Sequence, residues 1–137
     1  MRVLVDTNII LDLLLEREPF VPDAERLFQK IAAGEVIGYA TATALTDIFY
    51  IARRQTQSIE IARAAIVMTL QLLEISPVDR GVIEMALASD TPDFEDAVQS
   101  ASAASQELDA LITRDADFSG ALISVLSIRQ LLWQLEA

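Results

Sequence analysis

The chain has 137 residues, 53% of them hydrophobic, and a formal net charge of −11. That length suits one domain, expected to span residues 1–137, which can bury roughly two thirds of its unfolded surface without staples. It contains no cysteine and no histidine, which excludes disulfides, zinc–thiolate sites, thiol nucleophiles, the Ser–His triad and imidazole bases, and leaves chemistry to carboxylates, hydroxyls, amides, lysine and arginine.

In chain order, residues 3–5 (Val, Leu, Val) form a short apolar run that reads as a buried strand. It runs into Asp6, Thr7 and Asn8 and then a helical apolar stretch over 9–15. In open α/β sheets, ligands bind just beyond the carboxyl ends of strands, which is where Asp6 and Asn8 fall; Asp6 or Thr7 can equally cap the following helix. Pro19 and Pro22 mark a loop, and Asp23 is the expected cap of a second helix carrying Ala24, Leu27, Phe28 and Ile31. Gly34 closes it. Residues 36–40 read as a second strand and 41–54 as a helix with Ala44, Leu45, Ile48, Phe49 and Ile51 inward. Ser58 caps a helix bearing Ile61, Ala65, Met68 and Leu72, and a third strand follows over 73–78, interrupted by Pro77. Residues 79–88 are helical, 90–96 form an acidic turn, and 97–105 form a helix rich in small residues, with Asp96 at its start. Strands are expected at 110–112 and 123–126, and Ser127 caps a last helix with Leu131, Leu132 and Leu135. Strands alternating with helices predict an α/β fold, a parallel sheet of about five strands covered on both faces. There is no repeat, low-complexity run or linker. No signal peptide pattern opens the sequence, and the 9–15 stretch is too short to span a bilayer, so a soluble, cytoplasmic protein is expected.

Acids fall at matching boundaries of this pattern. Asp6 follows the first strand; Asp47 lies in the helix after the second; Asp96 opens the helix before the fourth; Asp115 and Asp117 follow the fourth directly. Asp47 has Ala44, Leu45, Ile48 and Phe49 as neighbours, so its carboxylate is expected to be partly buried and to need compensation. Carboxylates converging on one pole repel one another, and the usual relief is a hard divalent cation such as Mg²⁺ or Mn²⁺. Taken singly, Asp96 suits a first helical turn and Asp115 or Asp117 a turn cap. Asp12, Asp90 and Asp109 read as solvated or capping residues. The net charge argues against charge-driven nucleic-acid binding, though not against an enzyme whose acids are neutralised by cations.

Four stretches together resemble PIN-domain proteins of the kind found as the toxin half of bacterial toxin–antitoxin pairs. They are 3–12 (VLVDTNIILD), 43–47 (TALTD), 93–97 (DFEDA) and 111–118 (LITRDADF) running on to 125–126, in the family's order over nearly the whole chain. The resemblance implies a three-layer α/β/α fold and a Mg²⁺- or Mn²⁺-dependent endoribonuclease, often a homodimer, with RNA as substrate and an antitoxin protein as partner. It implies Asp6, Asp47, Asp96 and Asp115 as catalytic acids, the metal held by Asp6, Asp96 and Asp115. Asn8 and Thr113 are then supporting polar groups and Asp117 an accessory acid. The family's second acid is more often Glu, and Asp47 is a methylene shorter, which suggests a bridging water. Arg53, Arg54 and Arg114 are the candidates for phosphate contact, the first two also suiting a solvated helix end.

Two other classes fit parts of the pattern. Asp6-x-Asn8 resembles the nucleophile loop of haloacid-dehalogenase-type phosphatases, although Asn8 replaces their second acid and the single lysine, Lys30, is poorly placed. A non-catalytic PIN-like domain, its acidic pocket filled by a partner's arginine, is the third reading.

Overall fold

The computed structural model describes residues 1–115 and 118–137. Five short strands, β1 (Arg2–Val5), β2 (Ile37–Thr41), β3 (Glu74–Ser76), β4 (Ala110–Ile112) and β5 (Val125–Leu126), pair in parallel in the order β3-β2-β1-β4-β5. The helices are α1 (Thr7–Leu14), α2 (Val21–Ala32), α3 (Ala42–Thr56), α4 (Ile59–Leu72), α5 (Arg80–Ala88), α6 (Phe94–Ser105) and α7 (Ile128–Glu136). Among the described residues no helix is long and apolar enough to cross a membrane.

The layering follows from the period of two along a strand. Val3 and Val5 pack into the main core with Ile9, Leu27, Ile48, Ala62 and Leu131, drawn from α1, α2, α3, α4 and α7. Leu4 points the other way and packs with Leu111 and Ala103, on the α6 side of the sheet. α5 covers α6 through Val82, Ala86, Val98 and Ala101. The architecture is therefore three-layer α/β/α. From β1 the strands wind outward to β2 and β3, and the chain then returns to the other side for β4 and β5. Winding reverses between β1 and β4, so the crevice beyond their carboxyl ends is the switch point where such sheets bind ligands. The ladder extends into that crevice, with the Asp6 amide donating to Ile112 O at 2.9 Å and the Thr113 amide to Leu126 O at 3.0 Å.

Local chemistry sets the boundaries. Thr41, Ser58 and Asp79 cap α3, α4 and α5 by accepting from the amides of Ala44, Ile61 and Val82, and Ser127 with Gln130 forms a capping box on α7. β3 stops at Ser76 because Pro77 has no amide to offer the ladder. Gly38 lets β2 pass close beneath the helices: a Cβ there would lie 2.6 Å from Leu73 Cδ2 and 2.8 Å from Ile31 Cδ1.

Three expectations need correction. α2 begins at Val21 with Pro22 in its first turn, so Asp23 is not the cap; it pairs with Arg129 at 3.2 Å and Arg26 at 3.9 Å, tying α2 to α7. α6 begins at Phe94, capped by Asp93, whose Oδ1 accepts the Asp96 amide at 3.0 Å; Asp96 is thus inside the first turn. Asp12 is not solvated. Its side chain is 2% exposed and accepts both arms of the Arg114 guanidinium, at 2.8 and 3.2 Å, with Arg17 at 3.7 Å.

Candidate functional site

Asp6 ends β1 and caps α1, and is 7% exposed. Its Oδ1 accepts from Gln99 Nε2 at 2.8 Å and its Oδ2 from the Asn8 amide at 3.3 Å. Burial raises its pKa, while the Gln99 and Asn8 hydrogen bonds and the nearby Arg114 charge oppose that rise. Thr7, also buried, donates its hydroxyl to Glu95 Oε1 at 3.2 Å. This bond draws the start of α6 against the start of α1. Asn8 is exposed, and it is its backbone amide that meets Asp6.

On α6, Asp96 is half-buried. Burial and the charges of Asp93, Asp6 and Asp115 push it up to about 6. Glu95 keeps solvent contact; partial burial and the Asp47 carboxylate, with which it shares a hydrogen bond, push it up to about 7. Asp47, half-buried on α3, thus meets Glu95, an acid that the sequence reading passed over. Asp115 follows β4, with its amide donating to the buried Thr113 hydroxyl at 3.1 Å. Its carboxylate acts on Asp96. Asp117 lies outside the described residues.

Asp6, Asp96 and Asp115 therefore share one electrostatic neighbourhood, and Asp47 joins it through Glu95. The donors are all carboxylate oxygens, the hard ligands that Mg²⁺ and Mn²⁺ prefer; at Asp96 burial first, and then the charges of Asp93, Asp6 and Asp115, raise the pKa, and a cation would relieve that repulsion. In this conformation, among the described residues, no three acids close into a ligand cluster. In its chemistry the donor set fits a hard divalent cation, as a rim of carboxylates rather than a closed cage.

The cationic candidates separate. Arg114 is held by Asp12 and stacks on Phe20, its guanidinium carbon 3.8 Å from the ring centroid. Arg53 and Arg54 are exposed in the last turn of α3, about 9 and 10.5 Å along the helix axis from Asp47. Lys30 pairs with Glu35 at 3.2 Å ahead of β2, at the amino edge of the sheet and opposite the acids; a lysine so placed cannot serve a phosphatase loop at Asp6. A cleft of about 370 Å³ beside Asp115 is lined by Thr113, Phe118, Val125 and Gln130. The loop that borders it is tied back to α6 by the Leu122 amide, which donates to Ser100 Oγ at 2.8 Å.

The sequence signal that could have found Gln99 is its place three residues after Asp96, on the same helical face. For Glu95 it was adjacency to an acid already chosen.

Comparison with known proteins gives a consistent result. A family model described as PIN domain matches residues 2–117. Mycobacterium tuberculosis VapC20, described as a sarcin–ricin loop cleaving toxin, is 20% identical, with 88% of this chain and 95% of that one covered at a TM-score of 0.71. VapBC2 from Rickettsia felis, bound to a DNA fragment from its promoter, is 13% identical over 93% of this chain and 98% of that one, at 0.68. A toxin–antitoxin complex from Klebsiella pneumoniae is 21% identical over 92% and 97%, at 0.67. At these identities the likeness is one of fold. No curated protein matches.

Proposed function

Starting from the fact that this chain belongs to the PIN-domain family, we propose that it is a Mg²⁺- or Mn²⁺-dependent endoribonuclease, the toxin of a toxin–antitoxin pair. What supports this reading is that carboxylates from three separate stretches interact near the switch point between β1 and β4, where Asp96 feels both Asp6 and Asp115, with Asp47 of a fourth stretch linked to them through Glu95. The whole chain, 1–137, acts as a single cytoplasmic PIN-like domain.

Asp6, Asp96 and Asp115 hold the cation. When bound, it supplies a hydroxide nucleophile near neutral pH and offsets charge on the transition state, which answers the lack of histidine. The chain's own groups do the rest. Thr113 fixes the turn that presents Asp115, and the Asn8 amide helps hold Asp6. Glu95 lies beside Asp47 and carries the extra methylene that Asp47 lacks, so the pair serves where the family more often has one Glu. Asp117 is an accessory acid. Arg53 and Arg54 meet flanking phosphates, while Arg114, its fork taken by Asp12, contributes charge beside Asp6. The exposed apolar side chains Tyr50, Ile59, Ile61, Val67, Met68 and Leu70 on α3 and α4 suit a homodimer or antitoxin contact. The VapBC and toxin–antitoxin complexes among the structural neighbours support a protein partner.

The test is cleavage of RNA by purified protein with Mn²⁺. Asp6→Asn abolishes cleavage on this reading while leaving the protein folded; undiminished cleavage by that variant removes the assignment.

A further inference from the structure

Gln99 reaches the acid rim from inside the core. It lies on α6 three residues after Asp96, so the two share a helical face, and it is 1% exposed. Its Nε2 donates to Asp6 Oδ1 at 2.8 Å, while its Oε1 has no partner among the described residues. The amide orientation is dictated by the neighbour: the reverse would set Oε1 against a carboxylate oxygen. A buried acceptor left unpaired costs stability, and an apolar side chain of the same length would avoid that cost. Gln99 is therefore a poor choice for packing and a good one for gripping Asp6. Backbone amides of Asn8 and Thr7 also reach the Asp6 carboxylate, and the Asn8 contact is 3.3 Å long, beyond the usual range for such bonds. The Gln99 bond is the shorter grip, and it crosses from α6 to the end of β1.

We propose that Gln99 is a positioning residue, whose amide locks the side chain of Asp6 in the orientation that faces the cation. This rests on the reading of the acid rim given above. Hydrogen bonds to ligating carboxylates orient them, and losing such a partner typically weakens metal binding about 10–100-fold.

The experiment titrates Mn²⁺ into wild type, Gln99→Met and Gln99→Asn, with the shift in melting temperature as readout, alongside the Mn²⁺ concentration for half-maximal RNA cleavage. Met keeps the length without the donor, and Asn keeps the amide but falls one carbon short. The expected result is an Mn²⁺ midpoint raised at least about tenfold in both variants, whatever the change in metal-free melting temperature, which Gln99→Met lowers in so far as Asp6 Oδ1 loses its donor. If Gln99→Met does not fold, Gln99→Asn carries the test. An unchanged midpoint overturns the role of Gln99, including the case where the metal-free melting temperature falls, since that is a packing role alone. If wild type itself shows no Mn²⁺ shift, the cation reading fails and takes this inference with it.

Discussion

Asp12 offers the sharpest test of how the end of β4 is held. Asp12→Asn keeps the shape and removes the charge beneath Arg114. Removing one partner of a buried ion pair costs about 3–5 kcal/mol. Here the stranded cations are partly wet, with Arg114 36% and Arg17 24% exposed against 2% for Asp12, so water recovers some of that and about 2–3 kcal/mol is expected. For a chain of this length that corresponds to roughly 7–10 °C in melting temperature. The reciprocal change is worse. Arg114→Met leaves the buried carboxylate with Arg17 at 3.7 Å, and about 3–5 kcal/mol is expected. Urea unfolding of both single variants and the double variant closes a cycle, with a coupling of at least about 1.5 kcal/mol expected. A loss below about 1 kcal/mol for Asp12→Asn, or additivity within about 0.5 kcal/mol, means that the buried Asp12–Arg114 pair does not hold the residues after β4 to α1.

The raised pKa values of Asp6, Glu95 and Asp96 set a direction for pH. Each folded-state value lies above its ordinary one, so the folded state binds more protons between about pH 4 and the folded values near 6 and 7. Their ionisation opposes folding, and stability is lost as pH rises through that window. Glu95→Gln should therefore melt higher than metal-free wild type at pH 8 and match it at pH 4; the opposite order at pH 8 contradicts the assignment. Gly38→Ala pushes a methyl against Leu73 and Ile31 and is expected to cost about 1–3 kcal/mol by urea unfolding. Ser100→Ala removes the acceptor of the Leu122 amide and is expected to cost about 1 kcal/mol, with faster proteolytic nicking between residues 118 and 124; unchanged nicking rates speak against the tie.

Much of the architecture was legible because it depends on local pattern. The run 3–5 flanked by Asp6 and an apolar helix reads as strand, ligand-binding edge and helix without tertiary information, and parallel pairing follows from alternation, whereas the strand order, and with it the switch point, does not. Boundaries set by short side-chain bonds were harder: Asp93 and Asp96 are both plausible caps, and only the geometry selects Asp93. What the sequence hid depends on distant partners. Asp12 lies among apolar neighbours, and its arginine is 102 residues away. Glu95 gains its meaning from Asp47 on another helix. Gln99 bears no charge, so a search for acids passes over it, although its bond to Asp6 spans 93 positions.

The most direct test of the shared cation is calorimetric titration of Mn²⁺ into metal-free wild type, Asp96→Asn and Asp115→Asn at pH 7.5. The account predicts a saturable binding isotherm for wild type that each substitution weakens by tenfold or more, about 1.4 kcal/mol or greater. Binding of equal strength in all three proteins would mean that these carboxylates do not hold one ion together, and would contradict the account at its root.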